Sequence, residues 1–333
     1  MQTRFDAVGL GNAIVDALVR IDDDGVLGEF GLARGQMTPV DDARWQQVLT
    51  KVRSAGVQMA SGGSCANTVA GMGLMGAQVR YCGQIGDDEL GALYETSMVD
   101  ACGGHALQRS SDHATGKCLS LISTSDAERT MLTDLGAAVH LPGLGHFDED
   151  IREAGILHVT GYLMLGEPMA SRCMEAVAVA NQAEILVSVD VADPFVVGVC
   201  KDALMHLVTE FADVVFLNAE EAKAMCGGTP EDALMQLSED VAHVVVKLGA
   251  QGSLIRTGGK TYTIGIHPTE ALDTTGAGDA YAAGYLYGLS RGWDPARSGD
   301  LGARVASLTV GQVGAVVRDR AALAAAVSAA ERA

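Results

Sequence analysis

From residue 142 onward, short β-branched apolar runs alternate with helical stretches. Runs at 156–160, 185–189, 214–217 and 244–248 are separated by stretches such as 169–183 and 219–225 with helical spacing. Strand–helix alternation of this kind builds βαβ units, and βαβ units build a mostly parallel sheet covered on both faces. The chain is therefore expected to be an α/β protein. The run 253–256 and the run 261–264 read as a hairpin turning at Gly258-Gly259, and residues 277–333 read as helices only.

The N-terminal half is less regular. Residues 5–21 read as one strand or two short ones, 79–84 as a strand, and 41–55, 64–76 and 87–101 as helices. Asp41 or Asp42 is a natural cap for the first of these helices, and Gly103 closes the last. Three β-like runs follow one another at 106–109, 117–124 and 129–133 without helices between them. No repeat or Pro/Ser-rich linker divides the 333 residues, so the economical reading is one large α/β domain over 1–333 with a small β element added to it.

Composition excludes several functions. Lys and Arg number 23 and Asp and Glu 42, a formal charge of −19. A general nucleic-acid binder needs a basic face, and a membrane-surface protein a polybasic one. Any phosphate must then be handled locally, by metal ions, helix N-termini or a few placed cations. Seven scattered cysteines form no C-x-x-C pair, which argues against a zinc site and for reduced thiols in a cytoplasmic protein. Asp6 interrupts what would be the apolar core of a signal peptide, and no apolar run reaches the ~18 residues of a membrane span.

Some motifs mislead. Gly71-x-Gly73-x-x-Gly76 matches a dinucleotide fingerprint but lies inside a helical stretch, where close helix packing explains it. Gly9-x-Gly11 has Ile14 at the third glycine position, and Gly259-Lys260-Thr261 has Leu254 where a P-loop needs its first glycine.

The segment Asp273-Thr274-Thr275-Gly276-Ala277-Gly278-Asp279 carries more. It reads as leaving a strand, passing a small-residue turn and entering a helix at Asp279. A helix N-terminus presents unpaired N–H groups and the positive end of the macrodipole, which suits phosphate oxygens. A carboxylate aimed into such a site makes sense if it takes a proton from a hydroxyl attacking that phosphate. The plainer alternative is that Asp279 caps the helix and Asp273 ends a strand. Further segments are Gly11-Asn12 with Asp16, Gly62-Gly63-x-x-x-Asn67, and Asn218-x-x-Glu221 at a strand-to-helix junction. Singly, Asn67 and Asn218 read as helix caps.

In their order, together with Gly83-x-x-Gly86-Asp87-Asp88 and Lys247-x-Gly249-x-x-Gly252, these segments resemble the ribokinase-like (PfkB) carbohydrate and nucleoside kinase family over nearly the whole chain. The resemblance implies a Rossmann-like, doubly wound, mostly parallel sheet with a small β-sheet lid, here formed by about 14–40 and 105–135. It implies ATP and Mg²⁺, with transfer of a phosphoryl group to a hydroxymethyl group. By the same resemblance Asp279 is the catalytic base, and the amides of Gly276, Ala277 and Gly278 hold the transferring group. Asp16, Gly63 and Asn67 bind acceptor hydroxyls. Asn218 and Glu221 organise Mg²⁺ through water, and Lys247, Gly249 and Gly252 border the nucleotide. A structural ion pair is the competing role for Lys247. Asp273 and Thr275 align with positions that help hold a monovalent cation, K⁺, in some members. Gly9 to Asp16 and Glu128-Arg129-Thr130-Met131 look similar to adenosine-kinase-like bacterial members. The resemblance implies a nucleoside acceptor, adenosine first, with a sugar such as ribose or fructose as the alternative and a non-catalytic binding protein as a third reading. Met37, Leu121, Met131, Tyr162 and Phe195 are candidates for a purine slot, or for core and lid packing. Neither nucleic acid nor membrane is an expected partner, and the assembly is a monomer or a lid-mediated homodimer.

Overall fold

Eight of the apolar runs assemble into one sheet, ordered Val79–Cys82, Ala7–Leu10, Ile156–Thr160, Leu186–Asp190, Val214–Asn218, His243–Lys247, Ser253–Thr257 and Lys260–Ile264. The first six strands are parallel, and the last two form the antiparallel hairpin at the edge. The structure, a computed structural model, describes residues 3–126 and 128–332.

The central strands are apolar on both sides because both sides are covered, whereas the edge strand Lys260–Ile264 is largely exposed. Side chains alternate between the two layers. Val215 and Leu217 join the helices Met169–Gln182, Pro194–Phe211 and Ala219–Cys226, whereas Val214 and Phe216 join the helices Ser64–Leu74 and Ala277–Ser290. The Phe216 ring meets Tyr285 edge to face at 5.6 Å. Such a pair contributes about 0.5–1.5 kcal/mol beyond area burial, and it fixes helix Ala277–Ser290 against the strand whose end carries Asn218. The Gly71 and Gly73 positions pack as expected of a helix contact. An ideal Cβ would stand 2.9 Å from Ala283 Cβ at the first and 2.3 Å from the Ala101 carbonyl at the second.

A second sheet of five strands, ordered Met37–Pro39, Arg129–Asp134, Gly116–Ser123, Ile14–Ile21 and Gln58–Gly62, stands beside the first. One of its faces packs Ala17, Val19, Leu119, Leu121 and Leu132 on Trp45 and Val48 of helix Asp42–Val52. Asp16 is on the other face, since alternate residues of a strand point opposite ways.

Several local expectations change. Gln58–Gly62 is a strand of the second sheet although it gave no clear periodic signal. The run near 106–109 becomes Gln108–Ser110 and pairs with Gln84–Gly86 in a separate ribbon. No strand precedes the Asp273 motif, and the helix begins at Ala277 rather than Asp279. Leu121 belongs to the core on helix Asp42–Val52, which removes it from any purine slot. Among the described residues, no helix is long and apolar enough to cross a membrane.

Candidate active site

Thr160, Asp190, Asn218 and Lys247 end four adjacent parallel strands. The carboxyl ends of such strands border the ligand crevice of open α/β sheets. The Gly276-Ala277-Gly278 turn faces the same edge. Gly276 has φ +71°, and a Cβ there would fall 2.5 Å from Ala315 Cβ, so only glycine fits. The turn is braced by Asp273, which is fully buried. Its Oδ1 accepts from the Thr275 amide at 2.9 Å and from the Thr275 hydroxyl, and its Oδ2 accepts from the Gly314 amide at 2.9 Å. Among the described residues, no acceptor faces the amides of Gly278 and Asp279. These are the free donors that a helix N-terminus offers to an anion.

Asp279 lies in the first turn of helix Ala277–Ser290, and the other helix opening of the site holds it. Ser64 Oγ donates to Oδ1 at 2.7 Å and Asn67 Nδ2 donates to Oδ2 at 2.8 Å. Asn67 is therefore no helix cap. Burial pushes the Asp279 carboxyl upward, the bonds from Ser64 and Asn67 oppose this, Asp190 adds to it and Lys247 opposes it. The result is a carboxylate with more proton affinity than an exposed one, as a general base requires.

Lys247 is both an ion-pair partner and a member of the site. Its Nζ donates to Asp190 Oδ2 at 2.8 Å and lies 3.1 Å from where a Cβ on Gly278 would stand. Burial alone would lower its pKa, but the carboxylates of Asp190 and Glu221 outweigh that and raise it, with Asp279 adding to the same side. The ammonium is held charged beside the free amides.

Asn218 and Glu221 form a complete capping box. Asn218 Oδ1 accepts from the Glu221 amide at 2.8 Å, and Glu221 Oε2 accepts from the Asn218 amide at 2.7 Å. Glu221 is 2% exposed. Burial pushes it up to about 7, with Lys247 opposing and Asp190 adding. One buried cation among the carboxylates of Asp190, Glu221 and Asp279 leaves the site short of positive charge. Among the described residues, no three acidic, His or Cys side chains converge as a chelate. The donor set fits a divalent ion carried by phosphate oxygens and water, with free amides and an ammonium for the phosphate itself.

Asp16 faces this cluster from the second sheet. Burial pushes it up to about 7, Arg129 opposes, and Asp279 and Asp273 add to the rise. Its carboxylate lies over Gly62, where a Cβ would stand 2.1 Å from Oδ2. Gly63, at φ +95°, approaches the Asn12 carbonyl just as closely, with 2.3 Å left for a Cβ. In the acceptor-binding role that the sequence resemblance implies for Asp16, replacing Gly62 with Ala should displace its carboxylate and raise the acceptor KM by tenfold or more. Acceptor titration at saturating ATP checks this, and an unchanged KM would remove Asp16 from acceptor binding. Two acceptor atoms nearby, Asn12 Oδ1 and Asn67 Oδ1, are buried without a partner among the described residues. Hydroxyl donors of a polyol would complete them.

The raised Asp16 pKa sets a pH dependence. In the same implied role, only the carboxylate accepts hydrogen bonds from two hydroxyls, so the acceptor KM should rise as pH falls below about 7. The stability sign is opposite. A carboxyl whose pKa is higher folded than unfolded takes up a proton on folding, so its contribution is lost as pH rises through about 7. The cost at pH 8 is on the order of 2–4 kcal/mol. Asp16→Asn should therefore melt above the wild type at pH 8, with the advantage shrinking towards pH 5, while binding acceptor worse. Melting curves of the unliganded protein at the two pH values test it.

Asp279, Gly276, Ala277, Gly278, Asn67, Lys247, Asn218 and Glu221 thus meet at one edge, with Asp16 and Gly63 opposite them. Gly249 and Gly252 serve the turn after strand His243–Lys247. The Gly252 amide donates to the Gly249 carbonyl at 3.1 Å, and a Cβ on Gly252 would stand 2.0 Å from the Ile264 carbonyl. The residues the sequence did not point out as partners are Ser64, Asp190 and Arg129. Asp190 had a usable signal, its place at a strand end before an Asp-Pro helix start. Tyr162 stands near the same acids, with its hydroxyl raised by burial first and then by Asp193 and Asp279.

Residues 35–320 match the family described as pfkB family carbohydrate kinase. The chain is similar to the adenosine kinase of Saccharomyces cerevisiae, 28% identical over 330 residues covering 92% of this chain and 95% of that one. It is also similar to the 5-dehydro-2-deoxygluconokinase of Shouchella clausii, 25% identical over 319 residues covering 92% and 90%. Among solved structures, the adenosine kinase of Sinorhizobium meliloti superposes with a TM-score of 0.88 at 30% identity, over 99% of this chain and 100% of that one. A probable sugar kinase of Rhizobium etli superposes with a TM-score of 0.87 at 30% identity, over 99% of each chain.

Proposed function

Because the chain belongs to the pfkB family of carbohydrate kinases, a phosphotransferase family acting on hydroxyl groups with ATP as cosubstrate, we propose that it transfers the γ-phosphoryl group of ATP to the 5′-hydroxymethyl group of a nucleoside, adenosine first. The observation that carries the kinase chemistry is Asp279, held by Ser64 and Asn67 in the mouth of a helix N-terminus with Lys247 beside it.

The mechanism follows from charge and position. Phosphoryl transfer asks mainly for alignment and charge stabilisation. In this reading Asp16 grips vicinal hydroxyls of the acceptor, and the orphaned oxygens of Asn12 and Asn67 accept further protons from it. That places the hydroxymethyl group at Asp279, which takes its proton as the oxygen attacks the γ-phosphorus and the bond from that phosphorus to the bridging oxygen breaks, releasing ADP. The amides of the Gly276-Ala277-Gly278 turn and the Lys247 ammonium meet the charge on the transferring group. A divalent ion, Mg²⁺, supplies neutralisation of the remaining phosphate charge, and Asn218 and Glu221 would hold its water. Asp273 and Thr275 serve as the brace of the turn. The second sheet acts as a lid that excludes water, so the acceptor outcompetes hydrolysis.

Support for a nucleoside comes from the adenosine kinases among the relatives and from the apolar side chains that share the Asp16 face of the second sheet. A sugar acceptor is the second reading, favoured by the gluconate-type kinase relatives. ADP release with Mg-ATP against a panel of nucleosides and sugars decides between them. Adenosine is expected to give the highest kcat/KM. A sugar in that place establishes the second reading, and no turnover with any acceptor removes the kinase assignment.

A further inference from the structure

We propose that Ser120 is a specificity-determining residue that hydrogen-bonds a ring nitrogen of the acceptor's base. The proposal rests on the nucleoside reading above and deepens it.

Strand register lays out the Asp16 face of the second sheet in rows. Asp16 stands beside Cys118, which stands beside Thr133. One step along the strands, Leu18, Ser120, Met131 and Met37 stand side by side. Ser120 is the only hydroxyl among those four. It is 3% exposed, and its Oγ is buried with no hydrogen-bond partner among the described residues. The core on the opposite face is complete without it, through Leu119, Leu121 and Trp45.

A buried hydroxyl without a partner is unfavourable and uncommon. An apolar β-branched residue would suit a central strand between Leu18 and Met131 better. Of the ten buried side-chain atoms without a partner among the described residues, Asn12 Oδ1, Asn67 Oδ1 and Ser120 Oγ fall in the region that Asp16 faces, and one ligand lying along that face would satisfy all three. A ligand whose hydroxymethyl group meets Asp279 and whose diol meets Asp16 continues over the Leu18–Met131 row. That row is an apolar lining, buried at Leu18 and Ser120 and exposed at Met37, with pliable methionines and a single polar group. A flat nitrogen heterocycle has the matching character, with apolar faces and acceptor nitrogens at its edge. A further series of sugar hydroxyls would need several polar partners, which the row lacks.

The test is a double-mutant cycle between protein and ligand. Wild type and Ser120→Ala are assayed with adenosine and with its 1-deaza, 3-deaza and 7-deaza analogues, each replacing one ring nitrogen with CH. Ser120→Ala is expected to raise the adenosine KM about tenfold with kcat within twofold. One analogue should show the same rise in the wild type and no further rise in the variant. The variant should melt no lower than the wild type, since only an unpartnered hydroxyl is lost, and calorimetric titration of adenosine without ATP should show the same loss of affinity. Turnover of adenosine by the wild type with an unchanged KM in the variant overturns the proposal, as do penalties that simply add for every analogue. A wild type that phosphorylates no nucleoside overturns the nucleoside reading itself, and this inference with it.

Discussion

Asp279→Asn is expected to lower kcat by about 10³–10⁴-fold while leaving the KM for ATP within a few fold. The substitution removes the proton acceptor and one negative charge but keeps the shape. The variant also keeps its hydrogen bonds. Ser64 Oγ can still donate to the remaining oxygen, and Asn67 can turn its amide so that its unpartnered Oδ1 meets the new NH₂ group. Folding should be preserved, because a buried carboxylate whose pKa is raised by burial is itself unfavourable when ionised. Steady-state kinetics together with a melting curve check this. A variant that keeps more than a tenth of the wild-type kcat would show that the base is elsewhere.

The second large effect is expected at Lys247. Lys247→Met removes the one ammonium beside Gly278 and should lower kcat/KM for ATP by 10²–10³-fold, the scale seen when a placed donor to transition-state charge is lost. The single variant has a complication of its own. It leaves Asp190 buried without its partner, and breaking such a pair costs about 3–5 kcal/mol. Asp190→Asn combined with Lys247→Met removes both charges. The double variant should regain most of the melting temperature and none of the activity. If activity returns along with stability, the pair is structural and Lys247 has no part in the chemistry.

The two predictions differ in how far the sequence alone could support them. The small-residue turn at 276–278, and Asp279 beside it, follow from local spacing, because a helix N-terminus is a local object. The parallel sheet was equally legible, since a strand buried on both faces must be apolar throughout, as Ile156–Thr160 and Val214–Asn218 nearly are. Asn218 was legible as a helix cap, and the structure adds Glu221, three residues on, as the other half of a capping box. The Asp273 motif misled in one respect. Its apolar flank suggested a strand, yet Asp273 is held by Thr275 and by Gly314, 41 residues away, with no ladder at all.

The residues whose partners are distant in the chain were not legible. Ser64 and Asp279 are separated by 215 positions, and Lys247 and Asp190 by 57. Strand Gln58–Gly62 carries glycine, serine and alanine, and distant partners explain two of them, the approach of Asp16 to Gly62 and the hydrogen bonds of Ser61 with Ser97 and Arg318. Leu121 and Ser120 are adjacent, and nothing local tells which of them faces the core on helix Asp42–Val52 and which shares the Asp16 face. By itself the sequence determined the α/β architecture and the small-residue turn that opens a helix, because periodicity and tight turns are decided within a few residues, and the ordered set of motifs gave the type of chemistry only through its resemblance to a known family. The tertiary structure alone decided which carboxylate is held by which donor, which lysine stays charged beside the turn and which face of the second sheet turns Asp16 towards Asp279. Those properties depend on burial and on the field of groups brought together only by packing.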